Sequence, residues 1–165
     1  MLEAARRDPQ QHQVLALEVL KQFRLIYGSV RQHFGRVEEA CGVSGSQLWL
    51  MQEIGGAPGI GISELALRLS IHQTTCSQLV EKLVSRGYVR KVRSRQDQRR
   101  VGLTLSKRAA TALKKAPGPA EGVLPEALAE LSDATLLSLS TQLRKVIAQL
   151  RLPDEKSAGR PLADL

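Results

Sequence analysis

A chain of 165 residues, 42% of them hydrophobic, can bury one good core, is too short for two full domains, and is too apolar to be disordered. Aromatic residues make up only 3%, so the core must be Leu, Val, Ile and Ala, a composition that suits helices. The formal net charge of +8 favours an anionic partner, most commonly a phosphate backbone; a merely solvated basic surface fits less well, because the excess concentrates between Arg86 and Arg108.

The N-terminal segment, Met1 to Asp8, lacks the apolar core of a signal peptide. Apolar residues then recur at helical spacing from His12 to about Glu39: Val14, Leu17, Leu20, Phe23, Leu25, Ile26, Val30, Phe34 and Val37. This long amphipathic helix carries more apolar surface than a small domain needs on one element. Cys41-Gly42-Val43 ends it, and Ser44 or Ser46 can cap a second helix from Gln47 to about Ile54. Gly55 to Gly61, dense in glycine with Pro58, reads as a loop.

Ser63 reads as the N-cap of a short third helix whose inner face is Leu65, Ala66 and Leu69, with Glu64 suited to the dipole of its first turn. Ser70-Ile71-His72 is a tight turn. A fourth helix runs from about Gln73 to Ser85, with Leu79, Val80 and Leu83 inward and Gly87 placed as its left-handed terminator. Two short strands follow, Tyr88–Val92 and Arg100–Leu105, joined through a polar tip at 94–98. Ser106 restarts a helix through Lys115, which Pro117-Gly118-Pro119 breaks. Leu124–Leu131 is a short helical piece. Ser132 or Asp133 caps a last helix to about Leu150, with Leu136, Leu139, Leu143, Val146 and Ile147 apolar. The tail after Pro153 is polar and expected to fray.

Helix, tight turn, helix and basic hairpin are the parts that place one helix in the major groove of double-stranded DNA with a wing beside it. Gln73, Thr74, Thr75, Ser77 and Gln78 are polar groups without negative charge. Gln can form two hydrogen bonds to adenine, and a Thr methyl can touch thymine. Lys82, further along the helix, would reach phosphate, and Ser63 is counted with the same contact set. Arg93, Arg95, Arg99 and Arg100 repel one another unless an anion is near. Asp97 reads structurally, holding Arg99 or capping the turn.

No enzymatic constellation stands out. His12, His33 and His72 are too scattered for a metal cluster, two cysteines cannot complete a zinc site, and there is no phosphate loop or nucleophile elbow. No cofactor is expected. No stretch approaches the roughly 20 apolar residues that cross a bilayer, so no membrane partner is expected either. With only Cys41 and Cys76, a reducing cytoplasm is the simplest location.

Leu79-Val80-Glu81-Lys82-Leu83 with Arg86-Gly87-Tyr88-Val89, then Asp97-Gln98-Arg99 and Leu105-Ser106-Lys107, resemble in order and spacing the MarR family of bacterial transcription regulators. The resemblance covers nearly the whole chain. It implies a mostly α fold with a small β-wing (α+β), a winged helix-turn-helix with N- and C-terminal dimerisation helices. Residues 1–40 would be the N-terminal dimerisation helix, 41–110 the DNA-binding lobe, 111–152 the C-terminal dimerisation helices and 153–165 a flexible tail. Residues 73–75, 77 and 78 would face the major groove, with Arg93, Arg95 and Arg99 at the wing. It also implies a homodimeric repressor on a palindromic operator, released by a small aromatic or phenolic ligand.

Three positions depart from the family pattern. His72 stands where Ser or Thr commonly caps, Gln78 stands where Arg is frequent, and the Pro117–Pro119 break falls in a usually continuous helix. Two alternatives stay open. Cys41 lies at a helix junction where a helix N-terminus could lower its thiol pKa, the basis of a redox-sensing repressor, although a buried inert thiol is the favoured reading for both Cys41 and Cys76. A winged-helix protein-interaction module would instead need an apolar outer face on the fourth helix, where the sequence offers Gln, Thr and Ser.

Overall fold

The computed structural model describes residues 8–93, 101–151 and 154–164. Helix α1, Pro9–Cys41, starts where the Asp8 carboxylate accepts the Gln10 amide at 3.0 Å and Pro9 takes the first helical position. It ends at Gly42, whose φ of 68° suits a residue without Cβ. Val30, His33, Val37 and Cys41 pack on the lobe, whereas Val14, Leu17, Leu20, Phe23 and Ile26 stay exposed. Helix α2, Gly45–Gly56, opens with a reciprocal capping box: the Gln47 amide donates to Ser44 Oγ and the Ser44 amide to Gln47 Oε1. Only Gln52, Gly55 and Gly56 of it are exposed, so it forms the centre of the lobe, with Leu48, Leu50, Met51 and Ile54 fully buried. It runs further than the sequence suggests, through Gly55 and Gly56.

Helix α3, Ile62–Arg68, and helix α4, Gln73–Ser85, form the helix-turn-helix. Gly61, and not Ser63, is the N-cap of α3. Ile60 is bridged to Leu103 across the base of the wing, which brings the chain into helix two residues earlier than side-chain capping implies. The turn between the helices is a Schellman-type closure in which Ile71 N–H donates to Ala66 O and Ser70 adopts a φ of 52°. Helix α4 has the bounds its sequence implies. It closes the same way, Tyr88 N–H to Leu83 O and Gly87 N–H to Val84 O, with Gly87 at φ 74°.

Strand β1, Val89–Arg93, pairs antiparallel with β2, Val101–Leu105, in a register that sets Val89 opposite Leu105 and Arg93 opposite Val101. Gly59 N–H donates to Leu103 O at 2.8 Å and Leu103 N–H to Ile60 O at 2.9 Å, so the 59–60 segment lines the second edge of β2. Close approach there depends on Gly102, because a Cβ at that position would sit 2.6 Å from Gly59 O. Gly102→Ala is therefore expected to cost about 1–3 kcal/mol, the usual range for overpacking. Urea denaturation would measure it, and an unchanged midpoint would contradict this account of the wing's base.

Helix α5, Lys107–Lys114, is capped by Ser106, whose Oγ accepts the Ala109 amide. The Pro117–Pro119 segment breaks the helix as expected, and buried His33 fastens that segment through a 3.1 Å contact between its Nε2 and Pro119 O. Helices α6, Val123–Ala129, and α7, Asp133–Ala148, complete the helical part, and α7 buries none of its residues. The tail departs from expectation. Glu155–Gly159 and Leu162–Asp164 form two 3-10 turns packed back onto the lobe, with Gly159 and Pro161 buried. The described residues are thus mostly helical with one small antiparallel sheet: a winged helix-turn-helix between long flanking helices.

Candidate nucleic-acid interface

The two faces of α4 are chemically opposite. Cys76, Leu79, Val80 and Leu83 recur at helical spacing and are buried against α2 and α3. Gln73, Thr74, Gln78 and Lys82 are exposed, and Thr75 and Ser77 sit half-buried at the margins. The outer face at the helix start therefore carries hydroxyl and amide groups, with no acid in the first turn. His72 is the N-cap and its side chain makes no capping bond, as its departure from Ser or Thr suggests. The positive end of the helix dipole thus lies beside these polar side chains.

Two grooves mark this part of the lobe, one between α3 and the wing and one along α4. In the first, Ser63 at the start of α3 and Arg93 at the end of β1 line the same cleft, with Gly102 and Thr104 of β2. Ser63 is exposed there, free of the capping role read from sequence. In the second, Thr75, Gln78 and Lys82 share a groove with Ser44 and Gln47 at the start of α2. Of the wing residues singled out from sequence, Arg93 is exposed on β1. Arg95, Asp97, Arg99, Arg100 and the rest of the 94–98 tip lie outside the described residues.

Some of the positive charge between 86 and 108 is structural. Arg86 donates to Gln47 Oε1 at 3.1 Å and to Gly42 O at 2.7 Å, tying the end of α4 to the α1–α2 turn. Arg108 donates to Arg86 O at 2.9 Å. Both guanidinium carbons lie over the Tyr88 ring, at 5.2 and 4.6 Å from its centroid. Lys91 is paired with Glu81. Charge density along a sequence does not separate these occupied cations from Arg90 and Arg93, whose side chains have no polar partner among the described residues.

Both thiols are buried, which is the reading the sequence favours; the redox alternative at Cys41 is the one that finds no support. Cys41 is the last residue of α1, at the negative end of a helix dipole, and is buried; burial pushes its thiol pKa up, against a lesser lowering by Lys115. Cys76 is fully buried beneath α4, its Sγ 3.7 Å from Ile62 O, and burial pushes its thiol up to about 11. Both are expected to alkylate slowly in the folded protein near neutral pH and freely in denaturant. Equal rates in the two states would contradict this.

Sequence reasoning missed Arg160 and Asp164, which line the groove beside Thr75, Gln78 and Lys82. They arrive there through a tail whose polar composition gives no local signal of packing.

The model of the MarR family matches residues 42–100. No curated protein sequence matches the chain. Solved structures resemble it at low identity. One is a MepR-like protein complexed with pseudoligands, 15% identical over 84% of this chain and 92% of that one, with a TM-score of 0.52. A mutant MarR from E. coli complexed with operator DNA is 21% identical over 79% and 96%, with a TM-score of 0.51. The transcriptional regulator BldR from Sulfolobus solfataricus is 20% identical over 82% and 96%, with a TM-score of 0.50. At these identities the likeness establishes the fold.

Proposed function

We propose, from the match of the MarR family model to residues 42–100 and from that family being one of DNA-binding transcription regulators and not of enzymes, that this protein is a homodimeric repressor acting in the cytoplasm. Its operator is palindromic, and a small-molecule ligand releases it. The observation that carries this reading is the outer face of α4, polar and free of acid at its start, in a lobe whose wing strand leaves Arg93 exposed. Gln73, Thr74, Thr75, Ser77 and Gln78 would read base edges; Lys82, Ser63 and the arginines at 93, 95, 99 and 100 would hold phosphate and fix register. A regulator of similar fold is known on operator DNA. The absence of an apolar outer face on α4 counts against a protein-docking module, and the burial of both thiols counts against redox sensing.

Dimerisation is supported by what one protomer leaves uncovered. Val14, Leu17, Leu20, Phe23 and Ile26 of α1 are exposed, as are Leu139, Val146 and Ile147 of α7. A two-fold partner would cover them and set the two recognition helices about 34 Å apart, one turn of duplex. For the ligand, Tyr27, Phe34 and Leu124 line an apolar trough along α1 that also carries Arg31 and Glu38. An aromatic ring with one acidic hydroxyl suits those walls.

Selection from a random duplex library followed by gel shift tests the reading. Gln73→Ala or Gln78→Ala is expected to relax base preference, at about 1–3 kcal/mol per lost bidentate contact. Arg95→Ala and Arg99→Ala should weaken binding to all sequences alike and flatten its salt dependence by about one phosphate contact each. Failure to enrich any sequence would overturn the proposal.

A further inference from the structure

The tail does not merely rest on the lobe; it occupies both ends of the surface that DNA would use. Gly159 O accepts the His72 amide at 3.0 Å, and His72 is the N-cap of α4. The fit is close: a Cβ on Gly159 would lie 1.8 Å from Cδ2 of the His72 ring. Beyond it, Pro161, Leu162 and Ala163 close a crevice against Val30, Phe34 and Trp49, leaving a cavity of about 30 Å³. That is room for about one water molecule. The segment then ends with Asp164 Oδ1 accepting from Ser46 Oγ at 2.6 Å. Ser46 is itself almost wholly buried, in the first turn of the 12-residue helix α2.

The position of that carboxylate is informative. It sits by the positive end of α2, in the groove walled by Thr75, Gln78 and Lys82 of α4. A helix start with a lysine nearby is where an oxyanion is stabilised. The backbone of a duplex entered by α4 would bring a phosphate to the same groove, and two anions cannot share it. Apolar anchors in the crevice hold the carboxylate there, and Gly159 covers the start of the recognition helix.

We propose that residues 154–164 are an autoinhibitory strap, with Asp164 holding the place of a DNA backbone phosphate, so that duplex binding requires the strap to leave. This rests on the DNA-binding reading above. The strap links the α1–α2 crevice to the recognition helix, so whatever displaces Pro161–Ala163 frees the His72 end as well. Trp49 is the only tryptophan in the chain, and it reports the crevice end directly.

The test compares the full chain, a chain ending at Arg151, Gly159→Leu and Asp164→Asn on a fluorescent duplex bearing the enriched sequence. Truncation and Gly159→Leu are each expected to tighten binding about tenfold, equivalent to ~1.4 kcal/mol, and Asp164→Asn by a smaller factor. Gly159→Leu keeps the whole chain, so it decides the matter if the truncated form folds poorly. In that variant, hydrogen exchange at the His72 amide should accelerate and Trp49 emission should shift to the red; adding duplex to the full chain should cause the same shift. Unchanged affinity in both variants would overturn the strap. So would weaker binding, which would make Lys156 and Arg160 contributors to the complex. If neither the full nor the truncated chain retains any duplex, the DNA reading falls and the strap with it.

Discussion

Leu20→Asp combined with Phe23→Asp is expected to leave a folded monomer that binds its operator about 10²- to 10⁴-fold more weakly than the parent protein. Neither side chain belongs to the buried core of the lobe, so that core is unchanged when they change. In the proposed dimer they sit in an apolar seam, where a buried unpaired carboxylate costs several kcal/mol. The large loss in binding arises because two linked half-sites gain avidity that one alone lacks. Sedimentation would give the mass, and titration of the duplex would give the affinity. A parent protein that sediments as a monomer, or a variant still dimeric, would remove the two-fold arrangement from the account.

Leu83→Ala carries the second large effect. Leu83 is fully buried beneath α4, and its carbonyl accepts the Tyr88 amide that closes the helix. Removing its side chain opens a cavity between the recognition helix and its support, at about 2–5 kcal/mol. Small domains have only about 5–15 kcal/mol of total stability. The urea midpoint should therefore fall sharply, and operator affinity should fall with it because α4 loses its floor. Stability lost without any loss of affinity would mean that the outer face does not depend on the packing beneath it.

The parts of the fold readable from sequence are those with local punctuation. Helix α4 runs from Gln73 to Ser85 because the Ser70–His72 turn precedes it, Gly87 follows it, and its apolar residues keep one face between them. The polar stripe at 73–78 is legible for the same reason. Errors arise where a distant contact decides. Ser63 looks like a cap, but the Ile60–Leu103 bridge moves the start of α3 to Ile62. Gly55 looks like a breaker, but Leu105 packs so closely over it that a Cβ there would lie 2.9 Å from Leu105 Cδ1. Helix α2 therefore continues through it.

The site divides along the same line. Arg86 and Arg108 read as footprint, and only the fold reveals them stacked on Tyr88 and bonded to backbone. Cys41 reads as a junction thiol that a neighbouring helix start could activate, and the fold buries it as the last residue of α1. The tail has polar composition and breakers at Gly159 and Pro161, yet the side chains that receive it, Phe34, Ser46, Trp49 and His72, are dispersed along the chain. No periodicity within 154–164 could reveal that.

Hydroxyl-radical footprinting on the enriched duplex tests most directly whether the polar stripe of α4 and the cationic wing engage one double helix. Two protected backbone patches are expected, with centres about one helical turn (10–10.5 bp) apart and flanking protection from the wings. A single undivided patch, or uniform protection that disappears with modest salt, would contradict a paired winged-helix reader.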